Sequence, residues 1–271
     1  MAQEVSKTQI DRLGERLKKG NISDADLRLL DEYRRSFAEA FDFLAGLIRR
    51  ELKFESTGRP AKSTPSIIEK LRRESIRLTQ IQDIAGCRLI VPDIVAQEAM
   101  VQSLKGLFEY TSVIDRRQQP SHGYRAVHVV VSCFDKAIEV QVRTSLQHLW
   151  AELSEKISDL IGPAIKYGGG DEEGRKLLTI FSSWVAEVES LERRLVGLAE
   201  VESLLEEQLV EELQEQVPVP FRFKSEETQK NSVGLREELR LLKQRISEDL
   251  HEAINIVEGL KIVEGLKNSK G

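Results

Sequence analysis

Between Ile138 and Arg143 the chain alternates apolar and polar residues without a break. Side chains alternate along a β-strand, so Ile138, Val140 and Val142 share one face, and Glu139, Gln141 and Arg143 share the other. The run from Tyr124 to Cys133 is a second strand, joined to the first by a short turn at Asp135-Lys136, which predicts an antiparallel hairpin. Thr144 then caps a helix containing Leu146, Leu149, Trp150, Leu153 and Ile157. The centre of the chain is thereby committed to a sheet with one apolar face. A carboxylate, an amide and a guanidinium are left on the opposite face.

Upstream, Ser23 followed by Asp26 marks a helix start. Leu27, Leu30, Phe37, Phe41, Leu44 and Ile48 recur at helical spacing, and the helix is expected to run to about Leu52. The breaker-rich stretch Ser56-Thr57-Gly58-Arg59-Pro60 reads as a loop. Ser66 is expected to cap a second helix running through Leu71 to Leu78. Cys87 to Val91 reads as a buried strand stopped by Pro92-Asp93. Val95, Ala99, Leu104 and Phe108 suggest a helix, Thr111 to Ile114 a strand, and Gln118 to Gly123 a loop. Lys166 to Gly170 closes this region.

From Arg175 the character changes. Leu177, Phe181, Trp184, Val188, Leu191, Leu195 and Leu198 mark a long amphipathic helix continuing towards Leu213. Val217-Pro218-Val219-Pro220 breaks it, and a charged helix follows, roughly 226–267. Its end is a near-repeat of six residues, at Ile256 and again at Ile262, too short for a solenoid. These helices read as packing or homo-oligomerisation elements, with a regulatory role as the alternative. The chain thus divides into an N-terminal segment (1–24), an α/β domain (25–173) and a helical C-terminal extension (174–271).

The net charge of −5 does not suggest bulk nucleic-acid binding. Its distribution is more useful. From Arg59 to Arg88 seven basic residues (Arg59, Lys62, Lys70, Arg72, Arg73, Arg77, Arg88) outnumber Glu69, Glu74 and Asp83. Between Ala186 and Glu215 ten glutamates face only Arg193 and Arg194. A basic patch on an acidic protein suits a polyphosphate ligand. Cys87 and Cys133 sit in apolar runs and read as buried thiols in a reducing compartment. No apolar run approaches membrane-spanning length, and the N-terminus has no signal-like apolar core.

Four clusters carry potential chemistry: Arg59-x-x-Lys62-Ser63-x-x-Ser66-x-x-x-Lys70; Asp83-Ile-Ala-Gly86-Cys-Arg88; His122-Gly-Tyr124-Arg-x-x-His128; and Glu139-x-Gln141-x-Arg143-Thr144. Singly, each has an ordinary explanation as cap, turn, core or solvated face. Together they bring two carboxylates among many cations. Oxygen ligands of this kind hold Mg²⁺ between carboxylate and phosphates. Metal and cations then neutralise charge on a transferring phosphoryl group. Ser63, Ser66 and a helix N-terminus add donors, and a Tyr beside a Gly suits base stacking.

The four motifs, in this order and spacing, resemble the synthetase domain of the RelA/SpoT family over about residues 25–170. The resemblance implies a nucleotidyltransferase-like mixed sheet flanked by helices, with Mg²⁺ as cofactor and ATP as pyrophosphate donor. It implies Asp83 as metal ligand, with Glu139 as metal ligand or base towards the acceptor 3′-hydroxyl. Arg59 and Arg88 would sandwich the adenine. Lys62, Ser63 and Lys70 would hold phosphates, with Ser66 beside them. Tyr124 would stack on the acceptor base, and His128, Gln141 and Arg143 would line the acceptor or phosphate pocket. A cytoplasmic protein of bacterial or phage origin is expected.

Departures from the pattern matter. The family's hydrolase half carries His-Asp metal motifs, whereas here none of His122, His128, His148 and His251 precedes an Asp. No alarmone hydrolysis is expected, nor the long regulatory C-terminus of ribosome-bound members. Arg116-Arg117-Gln-Gln-Pro-Ser-His122 stands where small synthetases often carry Lys and Asn. Leu153-Ser-Glu-Lys156 replaces a Glu-His-Lys run, and Lys166-Tyr167 arrives after an insertion. Three readings follow: a (p)ppGpp synthetase acting on GDP or GTP; a toxic branch member acting on the tRNA 3′-CCA end or making adenosine alarmones, with an antitoxin partner; and an inactive nucleotide-sensing module. Under the second, Arg72, Arg73, Arg77, Arg116 and Arg117 are candidate tRNA contacts.

Overall fold

The computed structural model describes residues 6–213 and 220–268, with the backbone alone for 205–213, 220–229 and 263–268. The expected breaker at 217–219 lies outside the described residues. The chain divides into two compact units. The first comprises residues 1–89, 99–115 and 127–142, and the second 90–98, 116–126 and 143–271.

The N-terminal segment forms a helix, α1 (Lys7–Lys19), capped reciprocally by Ser6 and Gln9 and burying Ile10, Leu13 and Leu17. Ser23 and Asp26 form the expected capping box of α2 (Asp24–Arg35). The single helix expected to Leu52 is two: the hydroxyl of Ser36 donates to the carbonyl of Tyr33, and the chain restarts as α3 (Ala38–Glu51). A serine that bonds back to the preceding turn is a local competitor of the helix. Leu30, Phe37, Leu44 and Ile48 are buried as their spacing predicts, but Leu27 is exposed.

The stretch read as a loop before Pro60 contains a short edge strand, β1 (Thr57–Arg59), paired antiparallel with β2 (Ala85–Val91). Three residues carry too little periodicity to read as a strand alone. The next helix, α4 (Thr64–Arg73), is capped by Ser63, not Ser66, whose backbone N–H instead donates to the Ser63 hydroxyl. Pro65 occupies the first turn, where its missing N–H costs nothing. The helix stops at Arg73 rather than Leu78, and Leu78–Gln80 form a separate 3-10 turn.

α5 (Ile94–Leu107) and β3 (Thr111–Asp115) follow, then the hairpin of β4 (Val127–Cys133) and β5 (Lys136–Thr144). β4 begins three residues later than the sequence suggests, because Tyr124 is engaged in a local turn with Ser121. The hairpin turn is Phe134-Asp135, one residue earlier than expected. Both turn residues have positive φ, as in the type I′ turns that match strand twist. Strand order is β1-β2-β5-β4-β3. One face is built from Cys87, Leu89, Ile138, Val140 and Val142, all buried.

In the second unit, Thr144 caps α6 (Ser145–Ile161) as expected. α7 (Glu172–Leu213) and α8 (Pro220–Asn268) pack on it. Leu146, Trp150, Leu153 and Ile157 of α6 share a core with Phe181, Val185 and Val188 of α7 and with Ile246, Leu250 and Ile254 of α8. The apolar stripe of α7 is thus used within the chain. No helix among the described residues is long and apolar enough to cross a membrane. Cys87 and Cys133 are free and buried.

Candidate active site

The first unit gathers the two carboxylates singled out above. Asp83 precedes β2 and accepts from the ammonium groups of Lys62 at 2.5 Å and Lys70 at 2.9 Å. The backbone N–H of Lys62 donates to the carbonyl of Ile84, fixing the loop before α4 against the entry to β2. Burial alone would raise the Asp83 carboxyl, but the charges and hydrogen bonds of the two lysines overcome it and hold it at about 2.

Glu139 lies on β5. One carboxylate oxygen meets Nδ1 of His128 at 2.8 Å and the other accepts from the Gln141 amide at 2.7 Å. His128 stands directly opposite Gln141 across the hairpin, so the glutamate is held from its own strand and from the neighbouring one. Burial pushes the Glu139 carboxyl up, the bonds to His128 and Gln141 more than reverse this, and the negative charge of Asp83 pushes it partly back. The two carboxylates therefore feel each other, and both are ionised at neutral pH.

Gly86 of the Asp-Ile-Ala-Gly motif explains how β2 and β5 come so close. A Cβ there would lie 2.8 Å from the Glu139 carbonyl oxygen and 3.6 Å from the Glu139 Cβ. Arg59 is paired opposite Gly86, and Arg88 opposite Thr57. Directly opposed residues share a face, so Arg59, Arg88 and Glu139 lie on one side of the sheet. Arg59 is exposed and Arg88 half-buried. Ser63 and Ser66 share a hydroxyl–hydroxyl bond of 2.7 Å at the start of α4.

A contributor not foreseen from the sequence is Arg34 of α2, whose Nε donates to the Lys62 carbonyl at 2.7 Å. It sits 28 positions away on a helix read for its apolar face, so no local signal could have marked it.

Tyr124 and Arg143 belong to the second unit. The Arg143 guanidinium lies 5.1 Å from the Tyr124 ring centroid and donates to its hydroxyl at 3.0 Å. Arg117 pairs with Glu98 and with the Gln97 side chain, and Arg116 is half-buried, its N–H donating to the Ala126 carbonyl. In the first unit Arg72 donates to the Lys18 carbonyl, Arg73 pairs with Glu69 and Glu74, and Arg77 lies 3.8 Å from Asp11.

Residues 58–158 match the family model described as a region found in RelA / SpoT proteins. The GTP pyrophosphokinase YjbM of Bacillus subtilis is 32% identical over 176 residues, covering 55% of this chain and 78% of YjbM. The chain belongs to the RelA/SpoT family. Another relative of this family member, the uncharacterized protein Rv1366 of Mycobacterium tuberculosis, is 35% identical over 117 residues. That match takes in 42% of this chain and 43% of Rv1366, so the chain spans under half the length of that relative. Among solved structures, the small alarmone synthetase 1 of Bacillus subtilis bound to pppGpp is 22% identical. It aligns at a TM-score of 0.48, over 66% of this family member and 100% of that chain.

Proposed function

We propose that this protein transfers the terminal pyrophosphate of ATP to the 3′-hydroxyl of GDP or GTP, with Mg²⁺ as cofactor. The carrying observation is the pair of ionised carboxylates, one held by two lysines and the other by a histidine and an amide. The family relationship supports the same reading, since YjbM bears the name GTP pyrophosphokinase.

Among the described residues no three His, Cys, Asp or Glu side chains form a metal cluster. Two carboxylates nevertheless suit a hard cation that keeps waters and takes its remaining oxygens from phosphates. Asp83 and Glu139 would hold Mg²⁺, which would supply charge neutralisation on the polyphosphate.

Lys62 and Lys70 are placed to bind phosphate oxygens. Each ammonium has three N–H donors, of which Asp83 takes one. Arg59 and Arg88 would face the adenine on the same side of the sheet. Glu139 accepts a hydrogen bond from the acceptor 3′-hydroxyl and orients its oxygen. The hydroxyl oxygen bonds to the β-phosphorus, the bond from the β-phosphorus to the α,β-bridging oxygen breaks, and AMP leaves carrying the bridging oxygen. The hydroxyl proton passes to Glu139. A carboxylate below its usual range is a weak base, which suffices where the transition state is loose and the proton departs late. His128 and Gln141 keep the glutamate in place. Tyr124 would stack on the acceptor base, with Arg143 on the ring.

The test is incubation with Mg²⁺ and ATP labelled at its γ-phosphate, offering GDP, GTP, ATP or deacylated tRNA separately. Label on GDP or GTP is the expected outcome. Label on tRNA or adenosine nucleotide alone would replace the acceptor with that of the toxic branch, for which an antitoxin partner would then be sought. No transfer to any acceptor overturns the reaction.

A further inference from the structure

The second unit contains a buried polar network that the proposed reaction does not use. Glu189 of α7 is 1% exposed, although it belongs to the glutamate-rich run between Ala186 and Glu215. Its carboxylate takes both ends of the Arg125 guanidinium, Nε at 2.9 Å and Nη2 at 2.6 Å. The same carboxylate accepts from the Gln147 amide at 2.9 Å, and Gln147 accepts in turn from Gln97 at 2.8 Å. Arg125 also donates to the Arg117 carbonyl at 2.8 Å. Burying a charged pair gains little stability over an apolar pair of equal size, but a fully bonded network fixes one geometry.

What it fixes is the segment carrying Tyr124. Ser121 and Tyr124 close a tight turn by two backbone bonds, with His122 and Gly123 both at positive φ. Gly123 is the contact point: a Cβ there would come within 2.9 Å of the Trp150 ring and 3.2 Å of the Ser182 Cβ. The Ser182 hydroxyl donates to the Gly123 carbonyl at 2.7 Å. About two turns further along α7, Glu189 grips Arg125. The tyrosine is therefore flanked on both sides in sequence by residues tied to one helix. Ser182 and Glu189 both lie outside residues 58–158, the part shared with the family model.

We infer that α7 is a brace for the acceptor platform, with Glu189 and Ser182 as positioning residues that set the Tyr124 ring for the acceptor base through Arg125 and Gly123. The inference rests on the proposed reaction. It assigns part of the acceptor preference to a helix beyond the catalytic motifs.

The test compares the full-length protein with Glu189→Gln and Ser182→Ala in the labelled-transfer assay, reading KM for acceptor and for ATP separately. Hydrogen exchange of amides 121–126 is followed in parallel. A brace predicts acceptor KM raised about tenfold or more in Glu189→Gln, since small misplacements near the chemistry are expensive. ATP KM should stay within about twofold, and exchange in the 121–126 segment should quicken. Ser182→Ala removes one hydroxyl and leaves the ion pair intact, so it keeps the question open to an answer if Glu189→Gln does not fold. It is expected to show the same pattern, more weakly. Unchanged acceptor KM in the folded variants, or acceptor and ATP KM rising together, overturns the brace. Wild-type protein that transfers nothing overturns the reaction itself, a failure visible before any variant is compared.

Discussion

At the scale of single residues, the site is a matter of where two negative charges are kept. Asp83 is held ionised by two lysines, and its carboxyl loses its proton at about 2 instead of 3.8. A depressed folded-state value means that the ion pairs stabilise the fold fully above about pH 4 and are lost as the pH falls towards 2. Thermal unfolding of wild type and Asp83→Asn should therefore differ most at neutral pH, with the gap closing between about pH 4 and 2. A gap independent of pH would show that the asparagine acts through something other than the lost charge. Glu139→Gln keeps the shape and removes the charge. Transfer is expected to drop by about a thousandfold or more, with the fold retained by circular dichroism. By contrast, burial raises the Cys87 thiol to about 12, an inert thiol with no part in the chemistry.

At the scale of elements, short local devices decide where the charged residues point. Ser63 caps α4 and so sets the direction in which Lys70 projects, while Lys62 stands immediately before the cap. Ser63→Ala is expected to cost about 1 kcal/mol in urea unfolding, the usual value for a lost N-cap. Close strand packing at Gly86 is less forgiving. An alanine there must push β2 away from the Glu139 backbone, so Gly86→Ala should lower both stability and transfer, whereas a change in stability alone would place the glycine outside the site's geometry. The hairpin turn carries the opposite kind of feature. Phe134 and Asp135 both adopt left-handed backbone, which costs a non-glycine residue about 1 kcal/mol or more. Asp135→Gly should therefore raise the unfolding midpoint.

At the scale of the whole molecule, the family motifs occupy less of the chain than the structure needs. The second unit's core is shared among α6, α7 and α8. Lys156 pairs with Glu258, and Lys261 meets Asp159 at 2.7 Å, tying α8 along α6. A chain ending at residue 170 retains every motif yet exposes Trp150, Leu153 and Ile157. It is expected to be insoluble or to lack a cooperative thermal transition. Leu250, wholly buried on α8, gives a milder check: Leu250→Ala should cost about 2–5 kcal/mol. A stable, active fragment of 170 residues would show that α7 and α8 are dispensable.

Much of this molecule is legible along the chain, because strand alternation, caps and turn residues act between near neighbours. The β4–β5 hairpin, the Thr144 cap, the buried cysteines and the long α7 all follow from such signals. Asp83, Glu139 and their cations stand in motifs, so their chemistry is readable too. Tertiary structure alone decided what depends on partners far away in sequence. It made β1 a strand by giving Thr57–Arg59 an edge to pair with. It gave Asp83 to Lys62 and Lys70 rather than to solvent, and it brought Arg34 to the Lys62 carbonyl. It also took Glu189 out of an acidic run and buried it against Arg125, 64 residues upstream. A charge pattern shows that a helix has a polar face; which members of that face are buried depends on what packs there, and no local rule contains that information.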